Sequence, residues 1–127
     1  VLDEFNNFME EEIYQMMVAT TEDQDELILE NTTTLKVARW WNRACDIIPC
    51  NGGKDIGIQK ILDYFNFNKE EATAFGDGGN DISMLKYVGT VVAMGNAKDN
   101  VKAIADYITD SVQEDGIVSA LKHFEII

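Results

Sequence analysis

The chain has 127 residues, of which 46% are apolar, and this is enough for one modest domain or for a domain and part of another. Its formal net charge of −13 is unevenly placed, since residues 1–35 hold ten acids and no Lys or Arg. Such a surface repels nucleic acid and anionic membranes, so neither is expected as a partner. No apolar run reaches the roughly 18 residues of a membrane span, and no secretory signal is visible, which predicts a cytoplasmic protein.

The sulfur and imidazole side chains do not form a recognisable metal pattern. Cys45 and Cys50 are the only cysteines, and His123 is the only histidine. Their spacing does not match a zinc site, and a cytosolic protein keeps its thiols reduced. Both cysteines are therefore expected to be free.

Residues 1–50 have the pattern of an α+β segment. Apolar residues recur at helical spacing near the start, and two runs rich in β-branched and aromatic residues flank Asn42-Arg43, which predicts a hairpin. The acids at the start of the second helical run suit the helix dipole. The predicted elements are a helix over 2–11, a strand over 13–20, a helix over 22–30 and strands over 32–41 and 44–49.

The pattern changes at 49–53, where the only proline and two glycines mark a boundary between lobes. Beyond it, helical and strand patterns alternate regularly, which favours a parallel sheet covered by helices on both faces. The predicted helices cover 54–65, 81–87, 98–105 and 116–124, and the predicted strands cover 72–76, 90–94 and 106–109.

The most informative stretch is 75–81, which reads Phe-Gly-Asp-Gly-Gly-Asn-Asp between a strand and a helix. Asp77, Asn80 and Asp81 thus crowd a glycine-rich turn at the carboxyl end of a strand, where open α/β sheets bind ligands. Carboxylates in such a place suit Mg²⁺, which takes oxygen ligands and keeps several waters. In the simpler interpretation, these side chains only cap the next helix.

Three motifs in fixed order give the chain a family resemblance. They are Gly52-Gly53-Lys54 at a helix start, the 76–81 turn, and Val-Ala-Met-Gly-Asn-Ala over 92–97. Together they resemble the haloacid dehalogenase-like hydrolases, in particular the Cof-type sugar-phosphate phosphatases. The resemblance implies that residues 51–127 form the second half of a doubly wound, Rossmann-like parallel α/β core. Residues 1–50 would then be the C-terminal portion of an α+β cap.

The resemblance also implies residue roles. Lys54 matches the lysine that holds the substrate phosphate, and Asn80 matches a residue that contacts the phosphate-bearing substrate. Asp77 matches the acid that coordinates Mg²⁺. Asp81 matches a second acid, which binds the waters of the metal or orients Lys54. Asn96 ends the following strand, and either borders the site or caps the next helix.

Enzymes of this family transfer the phosphoryl group of a small phosphorylated metabolite to an aspartate, and water then cleaves the aspartyl-phosphate. The family's Asp-x-Asp-Gly-Thr motif, which supplies that nucleophile, is absent here. The only Asp-x-Asp is Asp23-Gln24-Asp25, in an acidic helical segment, and it is interpreted as surface. The chain is therefore expected to be a fragment, inactive alone, that pairs with a second copy of itself or with a missing N-terminal half.

Other functions are compatible with the same residues. A non-catalytic metal- or phosphate-binding lobe would need no nucleophile, and a phosphomutase-type enzyme would use the same scaffold. A calcium-binding β-roll is disfavoured, because its nine-residue unit is stacked in many copies and the chain holds one.

Overall fold

In a computed structural model the described residues are 12–127, and the chain divides after Asn51 into two compact units. The helix predicted over 2–11 lies outside the described residues. Within residues 12–127, no helix combines the length and the apolar character that crossing a membrane requires.

Over residues 12–51 the first unit is a three-stranded antiparallel sheet with one short helix. The strands are β1 (Met16–Val18), β2 (Leu35–Trp41) and β3 (Ala44–Pro49), and a 3₁₀ turn over Glu22–Gln24 leads into α1 (Asp25–Leu29). Strand β3 lies between β1 and β2. Because β2 and β3 are consecutive and pair antiparallel, the predicted hairpin is confirmed. Strand β1 is shorter than the predicted 13–20.

Arg39 of β2 connects the elements of this unit. Its guanidinium pairs with the Asp25 carboxylate, and its Nη1 donates to the Thr20 carbonyl at 2.7 Å. Asp23 is exposed, as expected, and Asp25 lies partly exposed at the surface with its carboxylate in this ion pair. Sequence spacing could not show the pair, since its partners are fourteen positions apart.

Both cysteines lie in or next to β3, and both are free, as predicted. The Cys45 side chain is fully buried, and this burial raises the pKa of its thiol. Cys50 is exposed.

The second unit alternates helices with a parallel sheet, in agreement with the predicted α/β class. Its strands are β4 (Thr73–Gly76), β5 (Thr90–Ala93) and β6 (Tyr107–Ile108), in the order β4-β5-β6. Its helices are α2 (Lys54–Phe65), α3 (Ile82–Leu85), α4 (Asp99–Lys102) and α5 (Gly116–His123), with a 3₁₀ turn over Gly79–Asp81 before α3. Helix α2 has the predicted bounds, whereas α3 and α4 are shorter than expected.

The core of the second unit forms around β5. Val91, Val92 and Ala93 are all buried, which is typical of a central parallel strand covered on both faces. Leu85 of α3 and Val101 of α4 are fully buried in the same unit. This packing fixes the carboxyl ends of β4 and β5, where the motif residues follow.

Candidate functional site

Strands β4 and β5 end at the same edge of the sheet. Gly76 pairs in register with Ala93, so the loop that begins at Asp77 and the loop that contains Asn96 leave the sheet together. Ligands of open α/β sheets bind outside the carboxyl ends of the strands. The sequence motifs therefore meet at a position suited to a binding site.

Gly76 allows the loop to fold back over its own strand. A Cβ atom at Gly76 would lie 2.9 Å from the Asp81 Cβ and 2.9 Å from the Leu85 Cδ1. Glycine is required here because any side chain would push Asp81 away from the strand end.

Asp81 is the buried centre of the loop, with 5% of its surface exposed. Its Oδ2 accepts the backbone N–H groups of Asp77 and Gly78, both at 3.0 Å, and its Oδ1 accepts from the Lys54 ammonium. Burial by itself would raise the pKa of Asp81, but the hydrogen bonds from Lys54 and from the two N–H groups outweigh it, so the pKa lies below its ordinary value. Asp81 is therefore a permanent anion at neutral pH.

Lys54 is the first residue of α2 and is placed by the glycine before it. Gly53 has φ 128°, in the region that L side chains rarely adopt, and this turn brings Lys54 to Asp81. The Lys54 side chain is 51% exposed, so the ammonium is held by Asp81 on one side and open to solvent on the other. Such a cation is suited to binding a phosphate.

Asp77 is exposed and is held through Asn96. The Asn96 Nδ2 donates to the Asp77 Oδ2 at 3.1 Å, and the Asn96 Oδ1 accepts the Val112 N–H at 3.0 Å. The residue in the N-cap position of α4 is Lys98, so Asn96 does not cap that helix, and its role at the border of the site stays a prediction.

Asn80 lies half-buried in the 3₁₀ turn before α3. Its Oδ1 would lie 2.8 Å from a Cβ atom on Gly78, so the glycine makes room for the amide. Within residues 12–127 the Asn80 side chain forms no hydrogen bond.

The carboxylates at this site fit a hydrated hard cation better than a closed metal cage. Residues 12–127 contain no group of three or more Asp, Glu, His or Cys side chains that could hold a metal. Both Asp81 oxygens accept hydrogen bonds from Lys54 and the loop, whereas the hydrogen bond from Asn96 to Asp77 reaches Oδ2 alone. One carboxylate beside a phosphate and several waters is a normal Mg²⁺ environment. The predicted metal roles of Asp77 and Asp81 stay predictions, and the contacts of Asp81 favour the role of orienting Lys54.

Comparison with known proteins agrees with the fold and the motifs. The family model of haloacid dehalogenase-like hydrolases matches residues 1–121. "Putative phosphatase YkrA" of Bacillus subtilis (strain 168) is 39% identical over 116 residues, which cover 91% of this chain and 45% of YkrA.

Two solved structures share the fold. The HAD subclass IIB sugar phosphatase BT4131 superposes with a TM-score of 0.86 at 42% identity, covering 97% of this chain and 47% of that one. The HAD phosphatase BT1666 from Bacteroides thetaiotaomicron superposes with a TM-score of 0.89 at 36% identity, covering 100% of this chain and 47% of that one. The chain thus spans about half the length of these relatives. It belongs to the haloacid dehalogenase-like hydrolases.

Proposed function

We propose that this chain supplies the metal- and phosphate-binding half of a Mg²⁺-dependent phosphatase of the Cof type. Its substrates are small phosphorylated metabolites, above all sugar phosphates. The reaction proceeds through an aspartyl-phosphate. The observation that carries the proposal is the Lys54–Asp81–Asp77 network at the carboxyl end of β4. The similarity to a sugar phosphatase and to a second HAD phosphatase supports it.

Each residue has a role that follows from its contacts. Lys54 binds a phosphate oxygen with the open side of its ammonium, and Asp81 holds that ammonium in place. Asp77 would hold Mg²⁺ with its carboxylate, and the Asn80 amide binds the phosphate-bearing substrate. The cation, when bound, neutralises the charge that develops on the phosphoryl oxygens.

The remainder of the proposal concerns the whole protein. Residues 1–50 are the last portion of an α+β cap, and residues 51–127 are the second half of the core. The nucleophile comes from outside this chain, from an N-terminal half of the protein. A second copy of the chain is the other candidate partner. We place the protein in the cytoplasm.

A non-catalytic metal- or phosphate-binding lobe is the second candidate. It is favoured by one observation: in the part of the chain that the structure describes, the Asp-x-Asp pair lies in the first unit, and its Asp25 is bound to Arg39. A phosphomutase would use the same residues and would return the phosphoryl group to a sugar hydroxyl instead of water.

The test is Mg²⁺-dependent release of inorganic phosphate from p-nitrophenyl phosphate and glucose 6-phosphate by the whole protein. The 127-residue chain alone should release none, and the whole protein should lose turnover when EDTA removes the metal. Asp77→Asn should abolish turnover, whereas Asp63→Asn, an exposed acid on α2, should not change it. Mg²⁺ binding without turnover in the whole protein would favour the non-catalytic lobe, and transfer between hydroxyl groups of a sugar would favour the mutase.

A further inference from the structure

We propose that Asn96 is the positioning residue for Asp77, and that it couples the orientation of the Asp77 carboxylate to the turn at Ser111–Val112. This inference rests on the proposed function, because it concerns the carboxylate assigned to the cation. It assigns Asn96 and the Val112 N–H to a task that the motif resemblance does not give them.

The contacts of Asn96 fix the orientation of its amide. The Val112 N–H can only donate a hydrogen bond, so the atom 3.0 Å from it must be the amide oxygen. The amide nitrogen then faces the Asp77 Oδ2, at 3.1 Å. Because an ionised carboxylate only accepts, both bonds are satisfied in one orientation of the amide and neither is satisfied in the other.

Asp77 depends on this amide for the direction of its side chain. Its backbone is fixed on both sides, since its N–H donates to Asp81 and its carbonyl accepts the Lys98 N–H at 3.2 Å. Among residues 12–127 the exposed Asp77 carboxylate has Asn96 as its hydrogen-bond donor. The bond takes Oδ2, and Oδ1 is the atom that we assign to the cation.

The turn that holds Asn96 packs closely on the end of β5. The Gly95 N–H donates to the Asp110 carbonyl at 3.0 Å, and a Cβ atom on Gly95 would lie 2.7 Å from the Ser111 nitrogen. The Ser111 N–H and the Ser111 Oγ both donate to Glu114 Oε2, at 3.4 Å and 2.6 Å, and these bonds close the start of the turn. The position of the Val112 N–H is therefore fixed. Asn96 binds this N–H with its Oδ1 and the Asp77 carboxylate with its Nδ2, so the position of the turn determines the orientation of the carboxylate.

Loss of either bond should weaken cation binding without removing a ligand. Hydrogen-bond partners of metal ligands contribute about 10-fold to 100-fold in metal affinity. Since Asp77 is exposed and can find other orientations, we expect the low end, about 10-fold weaker binding for Asn96→Ala.

Val112→Pro removes the donor of the first bond and leaves Asn96 and Asp77 intact. Val112 is the first residue of the 3₁₀ turn over Val112–Glu114, a position that accepts proline. The preceding Ser111 has φ −70° and ψ 167°, the extended conformation that a residue before proline prefers. The matched control is Val112→Ala, which keeps the N–H and shortens a side chain that is 61% exposed.

The experiment is titration of the whole protein with Mn²⁺, followed by electron paramagnetic resonance of the free ion. Asp77→Asn serves as the reference for a lost site. Asn96→Ala and Val112→Pro should each weaken Mn²⁺ binding by about 10-fold, and Val112→Ala should change it by less than about twofold. The double variant Asn96→Ala/Val112→Pro should bind as weakly as Asn96→Ala alone, because both changes break one connected path.

The other outcomes overturn the inference in distinguishable ways. If Asp77→Asn weakens Mn²⁺ binding and Asn96→Ala does not, the proposed site stands and the positioning role falls. If Asn96→Ala weakens binding while a folded Val112→Pro binds as the parent does, or if the two effects add, the coupling to the turn falls. Should Val112→Pro fail to fold, Asn96→Ala decides the positioning role alone. If Asp77→Asn keeps full affinity, the proposed metal site fails and this inference fails with it.

Discussion

Replacing Lys54 by methionine tests the electrostatic centre of the site. The change removes the ammonium that donates a hydrogen bond to Asp81 and keeps a side chain of similar length. Hydrogen bonds to charged groups contribute about 1.5–3 kcal/mol to stability. Lys54 is half-exposed, and two backbone N–H groups still bind Asp81, so we expect a loss of about 1–2 kcal/mol in unfolding free energy at pH 7.

The pH dependence of this loss identifies its cause. Asp81 has a pKa lowered below its ordinary value of 3.8, so the stability that its pairing provides is present at neutral pH and is lost as the pH falls through the folded-state pKa. The difference in unfolding free energy between the parent and Lys54→Met should therefore be largest at pH 7, and it should decrease toward zero as the pH falls below 3.8.

The assay is urea unfolding across this pH range, with Lys60→Met as the control on the same helix. Lys60 is exposed and forms no ion pair within the described residues. Equal losses for the two variants, or a difference that widens in acid, would refute the role of the Lys54–Asp81 pair. In the whole protein, Lys54→Met should also lose turnover while Mn²⁺ binding is largely kept.

Three further experiments test other parts of the structure. Gly95→Ala places a Cβ atom 2.7 Å from the Ser111 nitrogen, so calorimetry should show a loss of about 1–3 kcal/mol in unfolding free energy, and Mn²⁺ should bind more weakly. An unfolding free energy and a Mn²⁺ affinity equal to those of the parent would contradict the close packing. Arg39→Met leaves the half-buried Asp25 without its partner, so urea unfolding should show a lower midpoint; an unchanged midpoint would mean that the pair stabilises nothing. In the native protein iodoacetamide should label Cys50, whereas Cys45, which is fully buried with a raised pKa, should react only after unfolding, as mass spectrometry of the labelled peptides would show.

The sequence predicts the elements of the second unit because its patterns are regular. Helix α2 has clear signals at both ends, with Gly53 at φ 128° before it and Asn66 in the left-handed conformation after it. Helix α3 starts later than predicted, because the Asp81 side chain folds back onto the Asp77 and Gly78 N–H groups and the chain first makes a 3₁₀ turn.

The sequence predicts the site less completely than the fold. Motif order indicates Lys54 and Asp81, and the structure brings them into contact although they are 27 positions apart. Spacing left two roles open for Asn96, because its bond to Val112 depends on how closely the turn packs against Gly95. Contacts of this kind depend on backbone geometry far along the chain, and no local pattern encodes them.

The central claim is that the carboxyl end of β4 is a phosphatase site built on Asp77. The most direct test is the rate of Mg²⁺-dependent phosphate release from glucose 6-phosphate by the whole protein, measured for the parent, Asp77→Asn and the control Asp63→Asn. The claim predicts turnover in the parent and in Asp63→Asn, and a loss of at least about 100-fold in Asp77→Asn. Turnover that survives in Asp77→Asn at the parent rate would contradict it.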